Sequence, residues 1–441
     1  MKKDNLSVRD IKRIVYILIA ICFYILSISL VYGYLLVPGA LSAFSDLTII
    51  LDTSISSVFN LNVWRSSVGT GQPVFETPRI LINAISNLIT LKNGYAHWNQ
   101  YTIKILFIYP YILFSSSGIY FIVKHLFKQK LDTYLIFMIS SILSVLYSVN
   151  SSVLAILYMG HLHLIIPYAL YPWAVLYTVK ILEEEQENSL LSFWILTSIV
   201  VVMSVFEFRM YYIFALIQVI FVLITFFTDA NGEKKHFNAL LRVILTHVFV
   251  FSVNFYWIFL LILSHDNNYI LSRPIFGSQF TNIMCALFFH HPYSTGSSIS
   301  IFQRNNPQIF DFVSSLLVFI SIYIFIRKER LIKFLALIYI LLPILVKQES
   351  LPFINLYSWL FNHFPGFSVF RESMKLLLLQ NIVFIVASIF LLYSSRKRTL
   401  VFNLVIVLLF IQAIYRSLSF SSLQGPFSAQ SVVNSYSKVT D

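Results

Sequence analysis

The chain has 441 residues, of which 58% are hydrophobic and 11% are charged. Soluble domains carry roughly 25% charged residues, so this composition excludes an ordinary soluble enzyme. The net charge of +12 would suit a nucleic-acid-binding protein, but the positions of the cations along the chain argue against nucleic acid as a partner.

Eleven apolar segments, each about long enough to cross a bilayer, predict one all-α integral membrane domain over residues 1–415. The first lacks a small-residue cleavage site and is too long for a signal peptide, so we expect it to be retained. We predict a polytopic bundle of about 11 transmembrane helices, with a polar C-terminal tail over 416–441. The predicted spans lie near 14–36, 103–123, 132–149, 162–182, 190–206, 210–227, 242–264, 309–326, 331–346, 374–394 and 399–415.

Basic residues are concentrated in alternate connecting segments. If the N-terminus is cytoplasmic, the inner segments contain 19 of the 31 lysines and arginines and are much shorter than the outer ones. This distribution agrees with the positive-inside rule and accounts for most of the surplus charge. We therefore predict a multi-pass protein of the plasma (cell) membrane, in contact with the lipid bilayer, whose C-terminus lies outside.

Three of the predicted outer segments are long, namely 37–102, 265–308 and 347–373. Within the first, RILINAISNLITLK (79–92) repeats apolar residues with helical periodicity, which is typical of a helix lying flat in the membrane interface. FINLYSWLFNHF (353–364) is a second candidate, rich in interfacial aromatic residues. Either segment could instead pack on the protein as an ordinary loop helix.

The stretch HFPGFSVFRESMK places two cations at the start of the tenth predicted span. Ser368 is the expected N-cap after the Pro-Gly break, so Arg371 and Lys375 share one helical face. Cations are disfavoured at this end of a helix, where anions bind, and Glu372 offsets only part of the charge. A phosphate held between Arg371, Lys375 and the backbone amides would explain the arrangement. The alternative is that both cations extend to lipid head groups.

The first outer loop contains a second group of candidate residues, in FSDLTIILDTSISSVFNLNVWRSSVGTGQP (44–73). Asp46 lies ten residues beyond the first span, and Trp64 precedes the Gly-Thr-Gly-Gln-Pro run. Taken alone, the aspartate could simply cap a helix and the glycines could simply form a turn.

An Asp soon after the first span, then W…GxGxP, then HxPGFxxFRExxK, resembles the GT-C-type membrane glycosyltransferases. The branch concerned includes proteins similar to arabinofuranosyltransferases and to YfhO-type sugar transferases. The apolar segment YALYPWAVLY (168–177) is similar to a Pro-Trp span of the same group. The resemblance implies a GT-C-like helical fold with outward-facing loops and short interfacial helices.

The resemblance also implies a reaction. A sugar carried on a polyprenyl phosphate would be transferred, on the outer face, to a glycan or protein acceptor during cell-surface glycan or glycoprotein assembly. Asp46 matches the aspartate that acts as catalytic base or helps to hold a metal, and Arg371, with Lys375, would contact the donor phosphate. Many members carry a carboxylate pair where Asp46 stands alone, so the metal stays unassigned, with a divalent cation as the candidate cofactor.

Other polar residues lie at predicted outer ends of spans. Glu207 and Arg209 occupy a three-residue outer turn, where they either line the pocket or form an ion pair that closes a hairpin. His161 and His163 begin the fourth span, where they either contact a metal or hydroxyl group or pack at the interface. The remaining members of the predicted pocket are Trp64 and Glu372.

Two other functions fit a polytopic membrane chain. A transporter or flippase of lipid-linked sugars would be expected to carry midplane carboxylates and repeated halves with broken helices, and the sequence shows neither. A catalytically inactive membrane scaffold is the third alternative.

Overall fold

A computed structural model describes residues 8–36, 64–65, 72–73, 104–128, 130–158, 162–183, 186–228, 233–263, 330–348, 351, 353, 355–364, 367 and 373–421. In chain order the elements are α1 (Val8–Leu36), β1 (Trp64–Arg65), β2 (Gln72–Pro73), a π-helical turn (Lys104–Ile108) continuing into α2 (Tyr109–Phe127), α3 (Thr133–Ser148), α4 (Ser151–Tyr158), α5 (Leu162–Glu183), α6 (Gln186–Phe206), α7 (Phe208–Thr228), α8 (Glu233–Leu263), α9 (Arg330–Val346), α10 (Leu356–His363), a 3-10 turn (Ser373–Lys375), α11 (Leu376–Ser395) and α12 (Thr399–Ser421).

The described part of the chain is a helical bundle with the character of a membrane protein. Within it, eight helices are long and apolar enough to cross a bilayer: α1, α2 with its π-helical turn, α5, α6, α7, α8, α11 and α12. Helix α3 and the apolar part of α9 are shorter. The predicted span 309–326 lies outside the described residues, so the count of eleven stays a prediction.

Neighbouring helices show how the bundle is oriented. Helices α2 and α5 run parallel, because the Trp173 Nε1–H donates to the Phe114 carbonyl at 2.9 Å while His125 Nε2 lies 2.8 Å from Glu183 Oε2 further along both helices. The three predicted spans formed by α2, α3 and α5 therefore alternate in direction, as predicted. We call the end near Glu207 the Glu207 end, which the loop charges predict to be external, and the opposite end the His125 end.

Two tyrosines connect α3 and α5 by exchanging hydrogen bonds. Tyr168 Oη donates to the Tyr147 carbonyl at 2.8 Å, and Tyr147 Oη donates to the Tyr168 carbonyl at 2.5 Å. Their rings stack with centroids 4.3 Å apart. The Tyr168 carbonyl needs this donor, because Pro172, four residues later in α5, has no N–H to offer it. Pro172 thus leaves the Tyr168 carbonyl without its helical donor, and the Tyr147 hydroxyl supplies the missing hydrogen bond.

The C-terminal end of α3 is held by side chains from several other helices. Asn381 of α11 donates to the Tyr168 hydroxyl at 2.6 Å and to the Tyr147 carbonyl at 3.2 Å. Tyr32 of α1 and Tyr111 of α2 both donate to the Ser148 carbonyl, at 2.6 and 2.7 Å. These groups are buried, so α1, α2, α5 and α11 are fixed around one point at the Glu207 end.

The start of α11 is described from Ser373 onwards. The α-helix begins at Leu376 after the 3-10 turn, and Lys375 is its N-cap residue. The predicted N-cap Ser368 lies outside the described residues. The Ser373 hydroxyl donates to the Val346 carbonyl at 2.6 Å, which ties this turn to the end of α9.

Smaller elements agree with parts of the sequence interpretation. The predicted helix within 353–364 forms α10, with Tyr357 and Phe361 buried and Trp359 55% exposed. Strands β1 and β2 pair antiparallel, with Trp64 opposite Pro73, which is the one departure from all-α structure among the described residues. The predicted interfacial helix at 79–92 lies outside them.

The close approach of α2 to α5 gives a stability prediction. A Cβ at Gly118 would lie 2.9 Å from Pro172 Cβ and 2.9 Å from Trp173 Cδ1, whereas a Cβ at Gly33 would have no neighbour within 4 Å. We expect Gly118→Ala to lower the free energy of unfolding by about 1–3 kcal/mol. Denaturant titration in detergent measures this change, with Gly33→Ala as the matched control that stays near or above wild type. Equal effects of the two substitutions would contradict the close packing.

Candidate functional site

Charged side chains are buried at only one end of the described bundle. Burial of a charge is expensive unless it is compensated, and charges held inside membrane proteins usually mark functional sites. At the His125 end, by contrast, the Arg13–Asp132 ion pair of 3.6 Å is solvent-exposed. The buried charged residues, all at helix ends belonging to the Glu207 end, are Lys104, Glu207, Lys347, Lys375 and Arg416.

Glu207 is the single residue between α6 and α7, at the point where the chain reverses direction. Its N–H donates to the Met203 carbonyl at 3.0 Å, and its own carbonyl accepts from the Tyr211 N–H at 3.3 Å. The last turn of one helix and the first turn of the next are thus bonded through this residue. The Glu207 side chain is only 2% exposed. The two backbone hydrogen bonds of Glu207 fix the position from which its carboxylate extends.

Two side chains surround this carboxylate. Arg209 binds it in a bidentate manner, with Nε 2.5 Å from Oε1 and Nη2 3.0 Å from Oε2. His163 Nε2 lies 3.0 Å from Oε2. The exposed fractions of the Arg209 and His163 side chains are 28% and 19%. A molecule approaching this end therefore meets the imidazole and guanidinium groups before the carboxylate.

The environment keeps Glu207 ionised. Burial disfavours its charged form, but the Arg209 guanidinium and the contact with His163 outweigh burial and hold the pKa of the carboxyl well below its usual range. A general base works best when its pKa lies near the operating pH. Glu207 is therefore poorly suited to accept a proton, and its chemistry is that of a fixed negative charge that orients Arg209 and His163.

Two buried lysines lie where α9 and α11 meet. The hydrogen bond from Ser373 to Val346 joins these helices. Lys347 directly follows Val346 in the chain, and Lys375 lies two residues after Ser373. Lys347 Nζ donates to the Gln348 carbonyl at 3.2 Å, and burial lowers the pKa of Lys347. Gln348 is held at a φ of 53°, a left-handed conformation that is uncommon outside glycine. We call this group the lysine junction.

A layer of tyrosines lies beneath both groups. Tyr171 is buried and close enough to Glu207 to interact electrostatically, and its ring lies 6.3 Å from that of Tyr168. Tyr168 in turn accepts from Asn381, which is on α11 six residues after Lys375. Side-chain contacts thus lead from the Glu207 group through Tyr171 and Tyr168 to Asn381 on α11, the helix that Lys375 precedes.

The structure brings some of the predicted site residues together. Glu207, Arg209 and His163 are in contact, so the predicted ion pair is confirmed and has an additional histidine. Lys375 is at the lysine junction, and Trp64 is in β1. The predicted residues outside the described ranges are Asp46, His161, Arg371 and Glu372.

The sequence interpretation did not assign three buried cations, Lys104, Lys347 and Arg416. Arg416 falls in the predicted polar tail, but α12 extends to Ser421, and Arg416 Nη1 donates to the Leu146 carbonyl at 2.9 Å. A single arginine at the end of an apolar run was the signal that could have identified it. Lys347 comes directly after an apolar helix, which gives the same signal.

Comparisons of this chain with protein-family models, with curated proteins and with solved structures find no match. Across the described ranges, no group of three or more His, Cys, Asp and Glu residues could hold a metal ion. The function therefore has to be argued from the arrangement of charges in the chain itself.

The Glu207–Arg209 pair gives a second stability prediction. Arg209→Met leaves the buried carboxylate without its bidentate partner, which costs about 3–5 kcal/mol in comparable buried pairs. We expect a loss of this size in the free energy of unfolding, and a partial recovery in Arg209→Met/Glu207→Gln. The exposed pair supplies the control, since Asp132→Asn should change the free energy by less than about 1 kcal/mol. A loss no larger than that of Asp132→Asn would contradict the assigned pairing.

The lowered pKa of Glu207 determines how the stability of this group depends on pH. A carboxyl whose pKa is lower in the folded than in the unfolded state stabilises the fold above the unfolded value, about 4.3 for Glu, and loses this contribution as the pH falls towards the folded value. In a His163→Gln background, which removes the imidazole 3.0 Å from this carboxylate, the stability difference between Glu207 and Glu207→Gln should therefore stay constant from about pH 8 to pH 5 and decrease below about pH 4. Thermal unfolding over a pH series measures it, and a decrease already above pH 5 would contradict the assigned environment.

Proposed function

We propose that this protein is a membrane glycosyltransferase that uses a polyprenyl-phosphate-linked sugar at the Glu207 end, for assembly of a cell-surface glycan or glycoprotein. The observation that carries the proposal is that, in the part of the chain that the structure describes, the buried charged residues all lie at that end. A lipid-linked donor presents its phosphate at the membrane surface, where buried cations at the ends of helices can reach it. The GT-C-like motifs of the sequence support the same assignment.

The phosphate is the group for which the lysine junction is best suited. As the acceptor hydroxyl oxygen forms a bond to the anomeric carbon, the bond from that carbon to the phosphate oxygen breaks and its electrons remain on the phosphate. Fixed cations in a dry site stabilise such developing charge strongly. We assign this role to Lys375 and Lys347, with Arg371 as a further predicted contact.

The proton released by the acceptor hydroxyl requires a base. Asp46 is the proposed base, on the basis of the family resemblance alone. Glu207 is not proposed for this role because its pKa is held well below its usual range. Its pairing with Arg209 and His163 makes it a positioning residue for those two side chains. We assign no step to a divalent cation.

Transport is the less supported alternative. Ion-coupled carriers commonly use carboxylates within the membrane. In the membrane-spanning helices that the structure describes, the acidic residues lie at or beyond the helix ends, as Asp132 and Glu183 do. A flippase or an inactive scaffold would also have no need for an activated acceptor hydroxyl, so assays of transfer and transport separate these functions.

The test is sugar transfer in proteoliposomes, using lipid-linked sugars extracted from the source cells as the donor panel. We expect Lys375→Met to lower the rate of transfer about 100-fold or more, the size of effect seen when one fixed transition-state donor is removed, and Asp46→Asn to abolish transfer. Lys128→Met, an exposed lysine at the His125 end, is the matched control and should keep full activity.

The possible results distinguish the assignments. Full transfer by Lys375→Met would remove the lysine junction from the mechanism, and unchanged products from Asp46→Asn would remove the proposed base. Movement of the lipid-linked sugar across the membrane without any transfer product would contradict the glycosyltransferase proposal and favour a flippase.

A further inference from the structure

Three polar side chains inside the bundle have no hydrogen-bond partner among the described residues. They are Ser140 of α3, Ser388 of α11 and Gln412 of α12. Their exposed fractions are only 4%, 2% and 0%, so the surrounding solvent cannot satisfy them. A buried polar group without a partner costs free energy, and most such groups in folded proteins bind another protein group or an ordered water.

The amide of Gln412 is unsatisfied at both of its polar atoms. Neither Nε2 nor Oε1 has a partner within the described ranges, so turning the amide by 180° leaves both atoms as they were. Arg416, one turn further along α12, donates to the Leu146 carbonyl at 2.9 Å. Gln412 lies deeper than Arg416, inside a segment long and apolar enough to cross a bilayer.

Ser388 lies at the same level of the bundle as Gln412. The Arg416 guanidinium carbon is 6.0 Å from the centroid of the Phe384 ring, which places α12 against α11 there. The two helices run in opposite directions, because α12 follows α11 after a short turn. Ser388 is four residues after Phe384, and Gln412 is four residues before Arg416. Both therefore lie about 6 Å from this contact towards the His125 end, on the helix faces that make it.

Helices α3 and α11 lie side by side over the same depth. At the Glu207 end, Asn381 of α11 donates to the Tyr147 carbonyl at 3.2 Å. At the His125 end, the ring of Tyr393 of α11 is 4.3 Å from Nζ of Lys130, just before α3 begins. The two helices thus stay adjacent between these contacts and run in opposite directions.

Ser140 lies between these two contacts, at the level of Ser388. Ser140 is seven residues before Tyr147. Ser388 is seven residues after Asn381. Each is therefore about two turns, or 10 Å, from the contact at the Glu207 end, and residues seven apart share a helix face. With Gln412, three helices bring polar groups to one buried level.

The donors and acceptors of this group suit a water molecule. A serine hydroxyl both donates and accepts, and the glutamine amide supplies two N–H donors and an acceptor oxygen. Buried waters typically make about three hydrogen bonds to buried groups that would otherwise be unsatisfied. A cation is a poorer match, because the amide N–H groups repel it and none of the three side chains is negatively charged.

We propose that Ser140, Ser388 and Gln412 hold an ordered internal water that joins α3, α11 and α12 inside the bundle. The water completes the hydrogen bonds of three buried side chains. It also ties α12 to the two helices whose ends meet at Asn381 and Tyr147. The inference does not depend on the glycosyltransferase proposal.

The first test is hydroxyl-radical footprinting by X-ray radiolysis of the protein in nanodiscs, since a bound water that is split in place oxidises the side chains beside it. We expect oxidation of Phe384, although its ring is buried. Gln412→Met, close in shape but without the amide, should lower this oxidation about fivefold. Gln218→Met is the matched control, at a buried glutamine that donates to Thr178, and should leave the oxidation at the wild-type level.

A double-mutant cycle tests whether one water is shared. Side chains that bind the same water are coupled, so the effects of Gln412→Met and Ser388→Ala on the unfolding equilibrium constant should depart from additivity by about threefold or more. Ser198→Ala, at an exposed serine on α6, is the control partner, and its effect should add to that of Gln412→Met.

Several results would overturn the proposal. Absence of Phe384 oxidation in the wild type, or oxidation that is unchanged in folded Gln412→Met, would show that no water is held here. Additive effects in the cycle would show that the side chains act separately. Stabilisation of the wild type by Na⁺ relative to choline, lost in Gln412→Met, would assign the site to a cation. Ser140→Ala, a smaller change with the same expected results, replaces Gln412→Met if that variant is not monodisperse in detergent.

Discussion

The short helix α3 imposes the constraint on which the Glu207 end of the bundle depends. Its 16 residues extend about 24 Å, its last carbonyls have no donors from within the helix, and the residues that carry them are buried in the protein. Side chains from five other helices satisfy them instead. The donors to the carbonyls of Leu146, Tyr147 and Ser148 include Tyr32, Tyr111, Tyr168, Asn381 and Arg416. The Tyr147 hydroxyl in turn donates to the Tyr168 carbonyl, which has no helical donor because Pro172 lacks an N–H.

This arrangement also explains how charge can be buried at the same end. The C-terminus of a helix carries a partial negative charge, which favours the Arg416 guanidinium bound to Leu146. Glu207 is compensated separately, by Arg209 and His163, so it contributes little net charge to the surroundings. The lysine junction differs in that it buries two lysines, Lys347 and Lys375, at the meeting of α9 and α11.

Composition and periodicity were sufficient to predict the local features of the fold. Apolar runs predicted a polytopic helical chain, the Glu207–Arg209 spacing predicted an ion pair across a tight turn, and 353–364 predicted a helix. Long-range pairing could not be predicted in this way. His163 and Glu207 are 44 residues apart in sequence, and Arg416 and Leu146 are 270 apart. Nor could periodicity show that Ser373 would donate to the last carbonyl of α9.

The packing of Tyr171 has a consequence for how a lipid-linked substrate would sit. If a donor phosphate binds at the lysine junction, its chain has no path between α5 and α7, because Tyr171 stacks on Phe214 there with ring centroids 5.8 Å apart. The chain would instead lie against the lipid-facing side of α9, where Leu337 and Leu341 are exposed. A hydrocarbon chain loses no free energy of burial there, since the bilayer is as apolar as the interior of the protein. Recognition at this end would then rest on the head group.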